Sequence, residues 1–192
     1  FYCFSILSSI GFILVLFTNR ETILLSFGSV SLVAIYPFMK RYTNLPQLVL
    51  GVAFSWGILM AFTAQTGAIP QAAYLLFVGN VLWTVAYDTE YAMVDREFDI
   101  EIGVKSTAIL FGDMDKAIIA MLQMMFIVSM WLAGRQLEMG IPYYASLVIA
   151  CGLLGYQQYL IRNRLPSPCF SAFLNNNWVG AIIFTGFFLN YI

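Results

Sequence analysis

Histidine is absent from this 192-residue chain, and charge is scarce: nine Lys and Arg and ten Asp and Glu make up only 10% of it. Without imidazole, any acid–base step falls to Asp, Glu, Lys, Tyr or water, and zinc and haem lose a principal ligand. Cysteine is nearly absent too. Cys3, Cys151 and Cys169 show no CxxC spacing, which excludes a zinc ribbon or redox pair and leaves them as small apolar residues. The shortage of charge is the most restrictive lack. A soluble domain is about 25% charged. Here 61% of residues are hydrophobic and 17% aromatic, with a mean hydropathy of +0.83. Too little polar surface remains to face water on all sides, so an integral membrane protein is expected, with no nucleic-acid partner.

The chain opens on Phe1 inside an apolar run, without a basic segment or a small-residue cleavage site. The expectation is a cut N-terminus with part of the protein preceding it. Apolar stretches near bilayer-spanning length follow at roughly 2–17, 22–38, 46–64, 71–88, 117–134, 142–161 and 171–191. They are punctuated by "TNRE", "TNLP", "TGAIP", "GRQLEMGIP" and "RNRLPSP". The predicted fold class is therefore all-α: a polytopic membrane bundle of seven transmembrane helices forming one domain over 1–192.

Seven crossings place Lys40, Arg41, Arg96, Lys105, Lys116, Arg162 and Arg164 on one face and only Arg20 and Arg135 on the other. The positive-inside rule makes the first face cytoplasmic. Eleven of the nineteen charged residues lie between Asp88 and Lys116. Chemistry with charged groups is expected at this cytoplasmic loop, 88–116.

Its core is "DTEYAMVDREFD". If the preceding helix continues through it, Asp95 and Asp99 each fall within about 20° of Asp88 over roughly 16 Å of rise, with Tyr91 beside them. Stacked carboxylates repel unless a cation lies between them. Asp95 and Asp99, one turn apart, suit a divalent ion such as Mg²⁺, which takes one or two carboxylates with water and substrate phosphate. An acidic loop capping a membrane helix has the same spacing. Asp88 adds weight, because an ionisable group at the membrane border is expensive. Lys105 follows on the same face. "YPFMKR" brings Tyr36, Lys40 and Arg41 to that side, with Pro37 expected to break the helix ladder and re-aim the two cations. Acids for a metal and cations for phosphate at the mouth of an apolar bundle point to a lipid diphosphate.

The run "AYDTEYAMVDREFDIEIGVKSTAILFG" resembles the second aspartate-rich region of the UbiA-type intramembrane prenyltransferases. "YPFMKRYTNLPQ" resembles the family's Tyr-x-x-x-Lys region. "FLNNNWVG" matches the branch acting on 4-hydroxybenzoate in ubiquinone synthesis. The resemblance implies nine transmembrane helices around a central cavity, of which this chain would hold the third to ninth, the first aspartate-rich motif being absent. It implies Mg²⁺ on Asp95 and Asp99 and a supporting or base role for Asp88. Tyr36, Lys40 and Arg41 would form the basic region, with Lys40 on the diphosphate and Arg41 on the diphosphate or the aromatic carboxylate. Tyr91 and Lys105 would contact substrate. The substrates implied are polyprenyl diphosphate and 4-hydroxybenzoate, in a bacterial inner membrane or a mitochondrial one, and the fragment alone is expected to be inactive. Two other classes compete. A transporter would place charges near the bilayer midplane, where this chain has almost none. A CDP-alcohol phosphotransferase would carry Asp-Gly and Ala-Arg just upstream, and this sequence does not.

Overall fold

The computed structural model describes residues 2–192, apart from the side chains of Phe4 and Lys40. Seven long helices run up and down: α1 (Tyr2–Leu16), α2 (Arg20–Tyr42), α3 (Pro46–Thr66), α4 (Gln71–Val94), α7 (Asp115–Gln136), α8 (Ile141–Ile161) and α9 (Pro166–Asn190). Two short helices, α5 (Arg96–Glu101) and α6 (Thr107–Phe111), lie between α4 and α7. The chain is thus an all-helical, multi-pass membrane bundle. Each expected span falls within a few residues of a long helix, because apolar length and Pro or Gly punctuation set the boundaries. Pro46, Pro142 and Pro166 stand in the first turns of α3, α8 and α9, where the missing N–H costs nothing.

Among the described residues, five stretches are long and apolar enough to cross a membrane: Arg20–Met39, Pro46–Thr66, Thr107–Gln136, Ile141–Ile161 and Pro166–Asn190. α1 is shorter. α4 is long enough but less apolar, because it lies at the centre of the bundle between α3, α7 and α9 and carries polar groups inward. α2 runs unbroken through Pro37 to Tyr42. The expected break there does not occur: a proline costs one ladder bond, which a membrane helix tolerates when its neighbours hold it.

Close approach at small residues sets the packing, as expected where no water drives helices together. A Cβ on Gly51 of α3 would meet Val81 O at 3.1 Å, and one on Gly79 of α4 would meet Ser129 Cβ at 3.2 Å. A Cβ on Gly134 would collide with the Tyr143 ring and one on Gly186 with Ser146, locking α7 to α8 and α8 to α9. α2 leans on α3 through Trp56, whose Nε1 donates to Leu25 O at 2.8 Å.

Candidate active site

The charged residues gather at one end of the bundle, where α4 finishes and α3, α7 and α9 begin. α4 stops at Val94, and Asp95, with φ −99° and ψ 8°, separates it from α5. The three aspartates therefore do not share one continuous helix, and the stripe expected from the sequence is corrected here. Asp88 stays on α4, and Asp95 and Asp99 belong to the turn that follows. Within that turn the helical link survives, since the Asp99 N–H donates to Asp95 O at 2.8 Å.

The chain then doubles back. Gly103 takes φ +71°, a conformation glycine enters without strain, and the Val104 N–H donates to Asp99 O at 2.9 Å. Ser106 caps α6 by accepting from the Ile109 N–H. Thr107 is buried, its N–H donating to Gln47 Oε1 of α3 at 3.2 Å and its hydroxyl 2.7 Å from that of Thr89 on α4. This fold-back buries Asp99, leaves Lys105 half-buried and keeps Asp95 exposed.

A buried ion cluster fixes the turn from beneath. Asp115, at the start of α7, is fully buried and accepts from Arg164 Nε at 2.8 Å and Nη2 at 2.8 Å. Arg96 Nη1 lies 3.5 Å from the same carboxylate. Arg164 Nη2 also donates to Asp113 O, and the adjoining carboxylate raises the guanidinium pKa above its ordinary value. Arg96 directly follows Asp95, so α5 is tied to α7 and to the α8–α9 loop.

Inward from this end lies a cavity of about 660 Å³. Tyr36 of α2, Leu50 and Phe54 of α3, and Tyr87, Asp88, Thr84, Trp83 and Asn80 of α4 line it, with Phe173, Leu174, Asn176 and Asn177 of α9 opposite. The structure therefore brings Tyr36 and Asp88 together on one wall. Tyr91 lies on another face, packed on Phe173 at 5.0 Å between ring centroids and on Phe170 at 6.4 Å. Arg41 is exposed at the end of α2, and the Lys40 side chain lies outside the described residues.

Sequence reading missed a buried polar network beside the cavity. Glu90 is fully buried, accepting from Asn176 Nδ2 at 3.0 Å and Gln123 Nε2 at 3.3 Å. Gln123 also donates to Gln157 Oε1 at 2.8 Å and accepts from Gln158. Asn176 Oδ1 receives the Trp83 Nε1–H at 2.7 Å. Side-chain amides in the middle of apolar helices, "NNN" at 175–177 above all, are the signal that could have found it.

For a cation, the donor set offers two carboxylates one helical turn apart and no nitrogen or sulfur. No group of three or more His, Cys, Asp or Glu that could hold a metal occurs among the described residues. Two hard oxygen donors, with substrate phosphate and water completing the shell, fit Mg²⁺ better than zinc or calcium.

Comparison with known proteins agrees with this architecture. The chain is 62% identical over 177 residues to a 4-hydroxybenzoate octaprenyltransferase of Saccharophagus degradans, covering 92% of this chain and 59% of the relative. It is 56% identical to proteins of that name from Ectopseudomonas mendocina and Hahella chejuensis, covering 98% of this chain and 64% and 63% of theirs. The chain thus spans about three fifths of the length of these curated relatives. An apo UbiA homologue from Aeropyrum pernix K1 superposes with a TM-score of 0.82 at 21% identity, over 96% of this chain and 70% of that one. A digeranylgeranylglyceryl phosphate synthase superposes at 0.79 and 19% identity, over 97% and 67%. The profile of the UbiA prenyltransferase family matches residues 1–189, and the chain belongs to that family.

Proposed function

We propose that the whole protein transfers a polyprenyl group from polyprenyl diphosphate to the ring carbon ortho to the hydroxyl of 4-hydroxybenzoate, in ubiquinone biosynthesis, at the cytoplasmic face of a bacterial inner membrane. In this reading all seven long helices cross the bilayer, matching the third to ninth of a nine-helix fold, and residues 88–116 form the cytoplasmic active-site segment. The observation that carries it is the arrangement along α4. The acids stand at the charged end, and an aromatic-lined cavity with Asp88 and Tyr36 on its wall opens inward. The similarity to the curated octaprenyltransferases supports the choice of substrates.

Asp95 and Asp99 would hold Mg²⁺ against the diphosphate. The bound ion would supply charge stabilisation for the leaving group. Lys40 and Arg41 would hold phosphate oxygens, Arg41 alternatively serving the acceptor's carboxylate, with Lys105 contributing from its half-buried position. Loss of diphosphate leaves an allylic cation that water would quench. The cavity excludes water with Phe54, Trp83, Tyr87 and Phe173, whose ring faces also stabilise a cation through their quadrupoles. Asp88, on the cavity wall, would take the ring proton after attack, and Tyr91 would steady Phe173 on the facing wall.

Full-length protein in membranes provides the test. Asp95→Asn and Asp99→Asn are each expected to lower prenylation of 4-hydroxybenzoate at least about a hundredfold and to weaken Mg²⁺-dependent binding of the diphosphate, with insertion unchanged. Undiminished turnover would sink the assignment. A parallel panel of other aromatic acceptors tests the choice of 4-hydroxybenzoate.

A further inference from the structure

A second cavity lies farther from the charged end of the bundle. It has a volume of about 280 Å³ and is lined by apolar side chains including Ile58, Leu76, Phe126 and Ile183. Trp83 and Asn80 line both this chamber and the 660 Å³ cavity. The order of lining residues along three helices agrees. On α3, Leu50 and Phe54 precede Ile58. On α9, Phe173 and Asn176 precede Ile183. On the antiparallel α4, Asp88 and Thr84 lie nearer the charged end than Leu76. The two spaces are stacked along the bundle, and the Trp83 indole stands between them.

That ring is held on several sides. It stacks on Phe126 at 5.3 Å and 10° and meets Tyr87 edge-on at 5.7 Å. Gly180 leaves room for it: a Cβ there would lie 3.1 Å from Trp83 Cη2. Its N–H donates to Asn176 Oδ1, and the same amide's Nδ2 donates to Glu90. By accepting from that Nδ2, Glu90 fixes which way the Asn176 amide faces and so pins Trp83. A tryptophan pinned by its N–H makes a firmer partition than a rotatable aliphatic side chain.

We propose that Trp83 is a specificity-determining residue for the length of the prenyl donor, a floor that stops the chain in the upper cavity and closes the apolar chamber to it. This rests on the prenyl-transfer reading above. A short chain fits above the floor. A long one must turn aside toward lipid, which makes its fit depend on the floor.

The experiment uses the full-length protein in liposomes, with farnesyl diphosphate and octaprenyl diphosphate competing for one acceptor. Trp83→Leu is expected to raise the long-over-short ratio of kcat/KM about tenfold, the scale at which apolar pockets discriminate chain length. Trp83→Phe, which keeps one aromatic ring and loses the N–H with the fused five-membered ring, should give a smaller rise in the same direction and guards against a Leu variant that fails to fold. Ile183→Trp, filling the chamber in the Trp83→Leu background, should return the ratio to its starting value. An unchanged ratio in a folded, active Trp83 variant overturns the partition. Failure of the unaltered protein to transfer either donor overturns the functional reading itself, and this inference with it.

Discussion

α2 and the stretch formed by α6 and α7 are alike in hydropathy and differ in burial. The stretch Arg20–Met39 has a mean hydropathy of 1.8 with 11% of its apolar window buried, whereas Thr107–Gln136 has 2.0 with 39% buried. α4 extends the contrast: it is not among the five most apolar stretches, yet eleven of its residues are buried, Thr84, Thr89 and Glu90 among them. In water, apolarity drives a helix inward. In lipid it costs nothing to remain outside, so small residues that permit close approach and polar groups that need partners decide what lies at the centre.

The contrast can be broken by substitution, with thermal unfolding of the full-length protein in detergent as the readout. The largest effect is expected from Asp115→Ala, which strands Arg164 and Arg96 beside a buried vacancy and should cost about 3 kcal/mol. Gly134→Ala comes next, at about 2 kcal/mol. The Tyr143 ring fills the space a Cβ would take, and its hydroxyl, bonded to Met130 O at 2.7 Å, holds it there. Glu90→Gln keeps the shape of the network but turns one acceptor into a donor facing a donor, a loss of about 1 kcal/mol. Smallest are Gly11→Ala and Gly57→Ala, whose added Cβ would meet nothing within 4 Å; a change within about 0.5 kcal/mol is expected. A loss at Gly11 equal to that at Gly134 would show that α1 is packed as tightly as α7, and would end the comparison.

The candidate site was legible in part. The spacing of Asp95 and Asp99, one turn apart at the charged end, was readable because it depends on neighbours in the chain alone. The break between α4 and α5 was not, since no Gly or Pro marks Asp95; the turn at Gly103 and the pull of Asp115 on Arg96 fix it from outside the segment. Pro37 taught the converse, a strong local breaker overridden by its helix. The amides of the Glu90 network were visible in the sequence but their pairing was not, because its partners, Gln123 and Asn176, lie 33 and 86 residues away along the chain.

The sequence by itself determined the membrane class, the long helices and the clustering of charge in one segment, because these depend on local apolar length and on counting ions between spans. Only the tertiary structure decided which helix lies at the centre, that Asp88 and Tyr36 share a cavity wall, and that Trp83 stands between two stacked spaces. Those depend on pairings between helices distant in sequence, fixed where side chains from α3, α4, α7 and α9 meet.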